Sequence, residues 1–259
     1  MSHPATVTLF GLPFVSRGIE VVKKEITAHL TEGAPLTVFT PNAEILTKAL
    51  HDEAAFQLLR RADLLLPDGI GVLLLSRRQR TPIQERIPGI ELGEWLLSYA
   101  AEHRLPVYLL GGAEGVAKRA AEKLQRRFPA LVITGTHHGY PSPEEEEALL
   151  RSLEKAAPRI LLVCMGFPKQ ERWILAHRDR IPSAVALGLG GALDVWSGDF
   201  RRAPKTVQRL GAEWLWRILQ SPRRLLRLRF LFPFGRLFLL PKKPSALSRR
   251  KDKRGAQDP

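Results

Sequence analysis

Short apolar runs alternate with longer amphipathic segments along most of this chain, and no other feature constrains its fold as strongly. The apolar runs are continuous and rich in Val, Ile and Leu, which is typical of strands buried on both faces of a sheet. Alternation of such strands with helices predicts an α/β fold, with a mainly parallel sheet flanked by helices. The predicted strands are residues 6–10, 36–40, 63–66, 107–110, 131–136, 160–165 and 184–187, and the predicted helices are about 16–31, 42–61, 69–78, 89–103, 114–128, 143–156 and 168–179.

Charge is distributed unevenly and suggests how the chain is divided. Residues 1–200 contain 23 Lys and Arg against 23 Asp and Glu, whereas residues 201–259 contain 17 against three and so carry the whole net charge of +14. We predict an α/β domain over 1–200, a basic amphipathic helical appendage over 201–240 and a disordered basic tail over 241–259. The Trp, Leu and Phe content of the appendage indicates that it docks on an anionic membrane surface. Undocked, that apolar surface would favour homo-oligomers.

Other features concern the compartment and the chemistry. The single cysteine, Cys164, excludes an internal disulfide and fits a reducing compartment. No stretch approaches the roughly 20 apolar residues of a spanning helix, and no secretion signal is visible at the start. We therefore expect a cytoplasmic protein that is peripheral on the inner face of the membrane. The seven His residues show no ligand spacing and no Asp-x-Asp pair occurs, so we expect no metal and no cofactor.

Two groups of polar residues directly follow predicted strands. In parallel sheets, ligands bind beyond the carboxyl ends of the strands. Thr40 and Asn42 follow one strand and could hydrogen-bond a polar ligand, although Asn42 could simply cap the next helix. Asp68 follows another strand and precedes Gly69. Its carboxylate could serve as a general base or, alternatively, as a helix cap.

Two further turns could bind anions. Gly111 and Gly112 follow a strand and precede a helix, an arrangement that suits a nucleotide phosphate at the helix N-terminus. Their spacing is not Gly-x-Gly-x-x-Gly, so they are a weak dinucleotide signal. Lys169 and Gln170 lie in the first turn of another predicted helix, where the helix dipole disfavours a cation unless an anion is bound. Glu171 is interpreted as an ordinary first-turn acid.

Taken together in their fixed order, these motifs resemble those of the WecG/TagA/CpsF glycosyltransferase family, over roughly residues 5–230. The motifs are Thr-Pro-Asn at 40–42, Pro-Asp-Gly-Ile-Gly at 67–71, Arg86 with Pro88-Gly89, Gly111-Gly112, Gly-Thr-His-His-Gly-Tyr at 135–140, Gly-Phe-Pro-Lys-Gln-Glu at 166–171, Arg-Ala-Pro at 202–204 and Glu-Trp-Leu-Trp-Arg at 213–217.

The resemblance implies a Rossmann-like fold of the GT-E type, with the catalytic domain at 1–200. It also implies a metal-independent, inverting transfer of an N-acetylmannosamine-type sugar from a UDP donor to a polyprenyl-diphosphate-linked N-acetylglucosamine. Such enzymes serve surface polysaccharide or teichoic acid linkage-unit synthesis. By this resemblance Asp68 is the general base, and Thr40, Asn42 and Gln170 position donor or acceptor sugar, with Thr40 counted among the catalytic residues.

Without a metal, guanidinium groups would have to balance the charge of the departing UDP. Our candidates are Arg86, Arg217, Arg224 and Arg227. Helical spacing places the last three on one face of the appendage. Alternatively, that face is a membrane-binding charge stripe, and the two roles are compatible.

Two other protein classes could use parts of this sequence. A Rossmann-type oxidoreductase could use residues 111–115, but an acidic ribose partner is not evident at the usual distance. A nucleic-acid-binding protein could use the basic appendage. The Trp, Leu and Phe residues of the appendage suit lipid better than a phosphate backbone, so we expect no nucleic acid partner.

Overall fold

The computed structural model describes residues 5–78, 82–181, 185–204, 206, 207, 213, 216 and 235. In this part of the chain the strands are β1 (Thr6–Leu9), β2 (Leu12–Val15), β3 (Leu36–Phe39), β4 (Leu64–Leu65), β5 (Val107–Gly111), β6 (Ile133–His137), β7 (Ile160–Cys164) and β8 (Val185–Gly188). The helices are α1 (Ile19–Glu32), α2 (Ala43–His51), α3 (Glu53–Arg60), α4 (Ile70–Ser76), α5 (Gly89–Glu102), α6 (Val116–Arg127), α7 (Pro143–Ala156), α8 (Lys169–His177) and α9 (Ala192–Trp196).

The strands of the described residues form one sheet in the order β1-β2-β4-β3-β8-β7-β5-β6, and among these strands only β1 and β2 pair antiparallel. The predicted α/β class and the mainly parallel sheet are therefore confirmed. One apolar core lies between the sheet and α1, α5, α6 and α9, and a second lies between the opposite face and α2, α3, α4, α7 and α8. Successive strand residues such as Leu109 and Leu110 enter opposite cores. Burial on both faces explains why the strand sequences are continuously apolar.

The structure corrects the sequence prediction at its beginning. β2 was not predicted, and it pairs with β1 through a two-residue turn of Phe10 and Gly11. Both turn residues have positive φ, 52° and 90°, as in the hairpin turns that match the twist of the two strands. The short helix α9 was also missed.

A second correction concerns the predicted helix over residues 42–61, which is two helices. Asp52 lies between α2 and α3 in an extended conformation, with φ −136° and ψ 107°. Its carboxylate accepts a hydrogen bond from the Ala55 N–H at 3.2 Å and so caps α3. Because Asp competes for backbone N–H groups, it favours a helix start over a helix interior.

Most of the predicted appendage and all of the predicted tail, 241–259, lie outside the described residues. The boundary at residue 200 and the division into 201–240 and 241–259 therefore stay predictions. Arg202 forms an ion pair with Glu91 of α5 at 2.8 Å, and the Trp216 indole N–H donates to the Arg201 carbonyl at 3.2 Å. Among the described helices, none is long and apolar enough to cross a membrane.

Candidate active site

The loops that follow β3 and β4 bring Thr40, Asn42 and Asp68 to one edge of the sheet. β3 and β4 are neighbouring parallel strands, so their carboxyl ends lie side by side. The Asp68 N–H donates to the Pro41 carbonyl at 3.4 Å, which joins the two loops directly. A Cβ at Gly69 would lie 4.0 Å from the Asn42 Cβ. Residues that are 26 or more positions apart in the sequence thus form one cluster.

Thr40 is buried and links three elements of this cluster. Its hydroxyl donates to the Gly188 carbonyl of β8 at 3.1 Å. On its other side, the start of α5 packs so closely that a Cβ at Gly89 would lie 2.8 Å from Thr40 Oγ1. The hydroxyl oxygen retains lone pairs that can accept a hydrogen bond from a ligand. Thr40 therefore holds β3, β8 and α5 together at the edge where the predicted base lies.

Asn42 is the N-cap of α2, as one of the two sequence interpretations predicted. Its Oδ1 accepts a hydrogen bond from the Ile45 N–H at 3.0 Å. The cap uses the carbonyl oxygen of the side chain, whereas the amide NH₂ group supplies two donors of its own. Capping and sugar binding are therefore compatible roles for this residue.

Arg86 lies on the segment that leads into α5. The neighbouring Ile87 N–H donates to the Pro67 carbonyl at 2.8 Å, which fixes this segment against the loop that carries Asp68. Arg86 itself is half-buried. The structure therefore brings the backbone of the predicted diphosphate-binding arginine beside that of the predicted base.

Gln170, in the first turn of α8, joins two glycine turns at the same edge. Its Oε1 accepts hydrogen bonds from the Gly166 N–H at 3.2 Å and from the Gly190 N–H at 2.9 Å. Gly166 follows β7 and Gly190 follows β8, and both have positive φ, 76° and 57°. Gln170 is only 2% exposed. Its Oε1 therefore bonds protein backbone, and its predicted contact with a sugar stays a prediction.

Glu171 is the functional candidate that the sequence reasoning missed. It lies in the first turn of α8, as the sequence indicated, but its side chain is only 1% exposed, which the sequence interpretation did not include. Its Oε1 accepts a hydrogen bond from Gln170 Nε2 at 2.9 Å, while Oε2 has no hydrogen-bond partner among the described residues. Burial raises the pKa of Glu171 to about 7, although the hydrogen bond from Gln170 and one from its own backbone act in the opposite direction.

Gly111 and Gly112 join the turns after β5, β7 and β6. A Cβ at Gly111 would lie 2.3 Å from the Cys164 carbonyl oxygen, so only glycine fits there. The Gly112 N–H donates to that same carbonyl at 3.0 Å, and the Gly112 carbonyl accepts from the Gly139 N–H at 2.8 Å. Gly112 has a φ of 70°, and a Cβ there would lie 2.7 Å from Val116 Cγ1, so backbone conformation and packing account for both glycines. The predicted contact with a phosphate stays a prediction.

Lys169 has a partner that the sequence did not indicate. Its Nζ lies 4.5 Å from the centre of the Tyr140 ring, within the range of a cation–π interaction. Tyr140 is 65% exposed and follows β6 at the same edge of the sheet. A bound anion is therefore not required to explain a cation in this first turn.

The remaining predicted site residues, Arg217, Arg224 and Arg227, lie outside the described residues, and their roles stay predictions. The ion pair of Arg202 with Glu91 attaches the start of the appendage near the N-terminus of α5, where Gly89 packs against Thr40. The hydrogen bond of Trp216 to Arg201 lies within the appendage itself. Within the described part of the chain, no group of three or more His, Cys, Asp or Glu residues could hold a metal ion. The expectation of no metal and no cofactor remains a prediction.

Comparisons with known proteins give this arrangement a class. Two Staphylococcus aureus proteins, from strains MRSA252 and NCTC 8325 / PS 47, are each 35% identical over 232 residues, which is 88% of this chain and 90% of theirs. Both are named N-acetylglucosaminyldiphosphoundecaprenol N-acetyl-beta-D-mannosaminyltransferase. The fold, the site and these relatives define a glycosyltransferase. The profile of the Glycosyl transferase WecG/TagA/CpsF family matches residues 7–246, and the chain belongs to that family. The resemblance found in the motifs is confirmed.

Proposed function

We propose that this chain moves N-acetylmannosamine, or its uronic acid, from a UDP donor to a polyprenyl-diphosphate-linked N-acetylglucosamine. The names of the Staphylococcus aureus relatives support this proposal, because the similarity extends over 88% of this chain. The observation that carries it is the grouping of Asp68 with Thr40, Asn42 and the segment of Arg86 at one sheet edge. No finding supports the oxidoreductase or nucleic-acid-binding alternatives.

In this proposal Asp68 is the general base. Its carboxylate takes the proton from the acceptor hydroxyl while that oxygen forms a bond to the anomeric carbon of the donor sugar. The bond from the anomeric carbon to the UDP oxygen breaks on the opposite face, which inverts the anomeric centre. Thr40 and Asn42 lie next to Asp68 and would hold the sugar in line for this displacement.

The departing UDP requires positive charge. Arg86 lies on the segment beside Asp68, and a guanidinium group can bind two oxygens of a diphosphate at once. We propose that Arg217, Arg224 and Arg227 complete this role and that no metal takes part. Interactions that strengthen as charge develops on the leaving group contribute directly to the rate.

We further propose that the protein works on the inner face of the cell membrane. The acceptor in the relatives' names carries an undecaprenol chain, which is a membrane lipid. The charge of +14 lies entirely in residues 201–259. Each Lys or Arg near an anionic leaflet contributes roughly 1 kcal/mol to binding. The product would enter teichoic acid linkage units or another surface polysaccharide of the cell wall.

The decisive experiment compares the wild type with Asp68→Asn in a transfer assay. The full-length protein is supplied with UDP-N-acetylmannosamine and a short-chain lipid-diphosphate N-acetylglucosamine, with EDTA present. Loss of the base should lower kcat by about 10²- to 10⁴-fold while UDP binding is retained. The matched control is Asp52→Asn, since Asn also caps a helix well, and this variant should keep wild-type activity.

Each outcome of this experiment has a distinct meaning. If the wild type transfers the sugar and Asp68→Asn does so at the same kcat, Asp68 is not the general base. Absence of transfer by the wild type with either donor sugar would contradict the proposed function itself. Activity that EDTA abolishes and Mg²⁺ restores would contradict the metal-independent mechanism.

A further inference from the structure

Gln170 and Glu171 form a buried pair in the first turn of α8, and their side-chain hydrogen bonds are not needed to pack this helix on the sheet. Gln170 Oε1 accepts two backbone hydrogen bonds, from Gly166 and Gly190, and therefore holds the turns after β7 and β8 at a fixed separation. A Cβ at either glycine would meet nothing within 4 Å, so open space borders both turns. The pair thus lies directly against two turns that border open space at the edge carrying Thr40.

The amide of Gln170 works in only one orientation. Two backbone N–H groups point at Oε1, so a flipped amide would place the NH₂ group against two donors and leave all of them unsatisfied. Each buried donor left without a partner costs about 1–3 kcal/mol. Glu171 Oε1, 2.9 Å from Gln170 Nε2, accepts a hydrogen bond only from the correct orientation. Glu171 therefore reinforces the orientation of Gln170 that the two backbone N–H groups favour.

The pair of Gln170 and Glu171 is in contact with the predicted catalytic cluster. A Cβ at Gly188 would lie 2.9 Å from Gln170 Nε2, so the amide packs directly on the last residue of β8. The carbonyl of the same Gly188 accepts the hydrogen bond from the Thr40 hydroxyl at 3.1 Å. A continuous row of contacts therefore runs from Glu171 through Gln170 and Gly188 to Thr40, that is, from α8 through the end of β8 to the end of β3.

The cost of burying Glu171 indicates that stability is not its purpose. Oε2 is buried with no hydrogen-bond partner among the described residues. A carboxyl group in such a place costs more free energy than an apolar side chain of similar size. Residues that lower stability in this way are typical of functional sites.

We propose that Glu171 is a positioning residue of the sugar transfer. Its carboxyl group orients the Gln170 amide, which in turn holds the glycine turns at 166 and 190 in the shape that the donor and acceptor require. This inference rests on the proposed function. It assigns Glu171 no contact with the reacting atoms.

The test uses four variants of the full-length protein: Glu171→Met, Glu171→Gln, Gln170→Met and the double variant Gln170→Met/Glu171→Met. Glu171→Met removes the acceptor, and kcat should fall about tenfold or more while the KM of the donor changes little. Because Met is better suited to burial, the urea midpoint should stay equal or rise. Glu171→Gln retains an acceptor oxygen and should recover most of kcat. The double variant should be no slower than Gln170→Met alone, since Glu171 acts through Gln170.

Three results with these four variants would overturn the proposal. Wild-type kcat in Glu171→Met would show that no positioning is needed. A loss in Glu171→Gln as large as that in Glu171→Met would indicate a role for the carboxylate itself. Multiplying losses in the double variant would show that the two residues act independently.

A fifth variant, Gly188→Ala, keeps the proposal testable if Glu171→Met folds poorly. Gly188→Ala displaces the Gln170 amide from the opposite side while Glu171 stays in place, and the proposal requires the same fall in kcat. Unchanged kcat in Gly188→Ala would overturn it. Transfer by the wild type is measured in parallel, so a failure of the proposed function is seen separately from a failure of this inference.

Discussion

Replacement of Glu171 by Gln should change how the stability of this protein depends on pH. The pKa of Glu171 rises from its ordinary value of 4.5 to about 7, chiefly because the side chain is buried. The folded state therefore holds this proton more tightly than the unfolded state does. Its contribution to stability is fully present below the unfolded pKa and is lost as the pH rises through the folded pKa.

The size of the effect follows from the same pKa values. At 1.36 kcal/mol for each pKa unit, the rise to about 7 corresponds to about 3 kcal/mol of unfolding free energy, lost between about pH 4.5 and about pH 8. A Gln side chain has no proton to lose. The stability of the wild type relative to Glu171→Gln should therefore decrease by about that amount across this range.

Urea unfolding of both proteins, followed by the fluorescence of the five Trp residues, measures this difference at pH values from about 5 to about 8. All other titrating groups are shared, so their contributions cancel in the comparison. Parallel pH profiles for the two proteins would refute the reasoning. They would show that Glu171 is ionised in the folded state at ordinary cost.

Three other changes have expected outcomes. Asn42→Ala should lower the unfolding free energy by about 1 kcal/mol because the cap of α2 is lost, whereas Asn42→Asp should not; equal urea midpoints would contradict the cap. Gly89→Ala should slow transfer and cost about 1–3 kcal/mol of stability, because its methyl group would meet Thr40 Oγ1 at 2.8 Å; unchanged kinetics would contradict that close packing. The full-length protein should sediment with anionic vesicles in low salt but not with neutral ones, and equal binding to both would contradict docking by residues 201–259.

The sequence predicted the helices and strands well where the hydrophobic periodicity was strong. It failed for β2, which is short and lacks the usual residues of a hairpin turn. β2 is four residues long and includes Pro13, which has no N–H to donate to a neighbouring strand. Its turn, Phe10-Gly11, lacks the Asn-Gly or Asp-Gly pair that marks most two-residue hairpins. Neither feature indicates a hairpin, although the strand packs fully once it forms.

The order of the strands in the sheet explains which features of the site could be predicted from the sequence and which could not. Polar residues after strands predict an edge, and the structure places Thr40, Asn42 and Asp68 there together. The hydrogen bond between Thr40 and Gly188 joins residues that are 148 positions apart in the sequence, and it forms because β3 and β8 are neighbouring strands. The periodicity of the sequence does not predict which strands pair, so it could not predict this contact.

Burial of Glu171 was hidden for a different reason. The residue belongs to the polar run Lys-Gln-Glu-Arg at 169–172, which predicts an exposed helix start. However, Gln170 and Glu171 precede the buried residues Ile174 and Leu175 by four positions each. Residues four apart share a helix face, so this spacing was the available signal. It indicates a buried side chain, but the partners of that side chain come from turns that lie elsewhere in the sequence.

Structural and functional roles are not alternatives for the polar residues at this edge. Thr40, Asn42 and Gln170 each satisfy backbone groups of a neighbouring loop or helix, and those hydrogen bonds set where the loops lie. The loops in turn carry Asp68 and the glycine turns at 166 and 190. Removal of any of these side chains should therefore change both stability and rate. Only replacements that keep the backbone hydrogen bond, such as Thr40→Ser or Asn42→Asp, can separate binding of a sugar from positioning of the loop that would bind it.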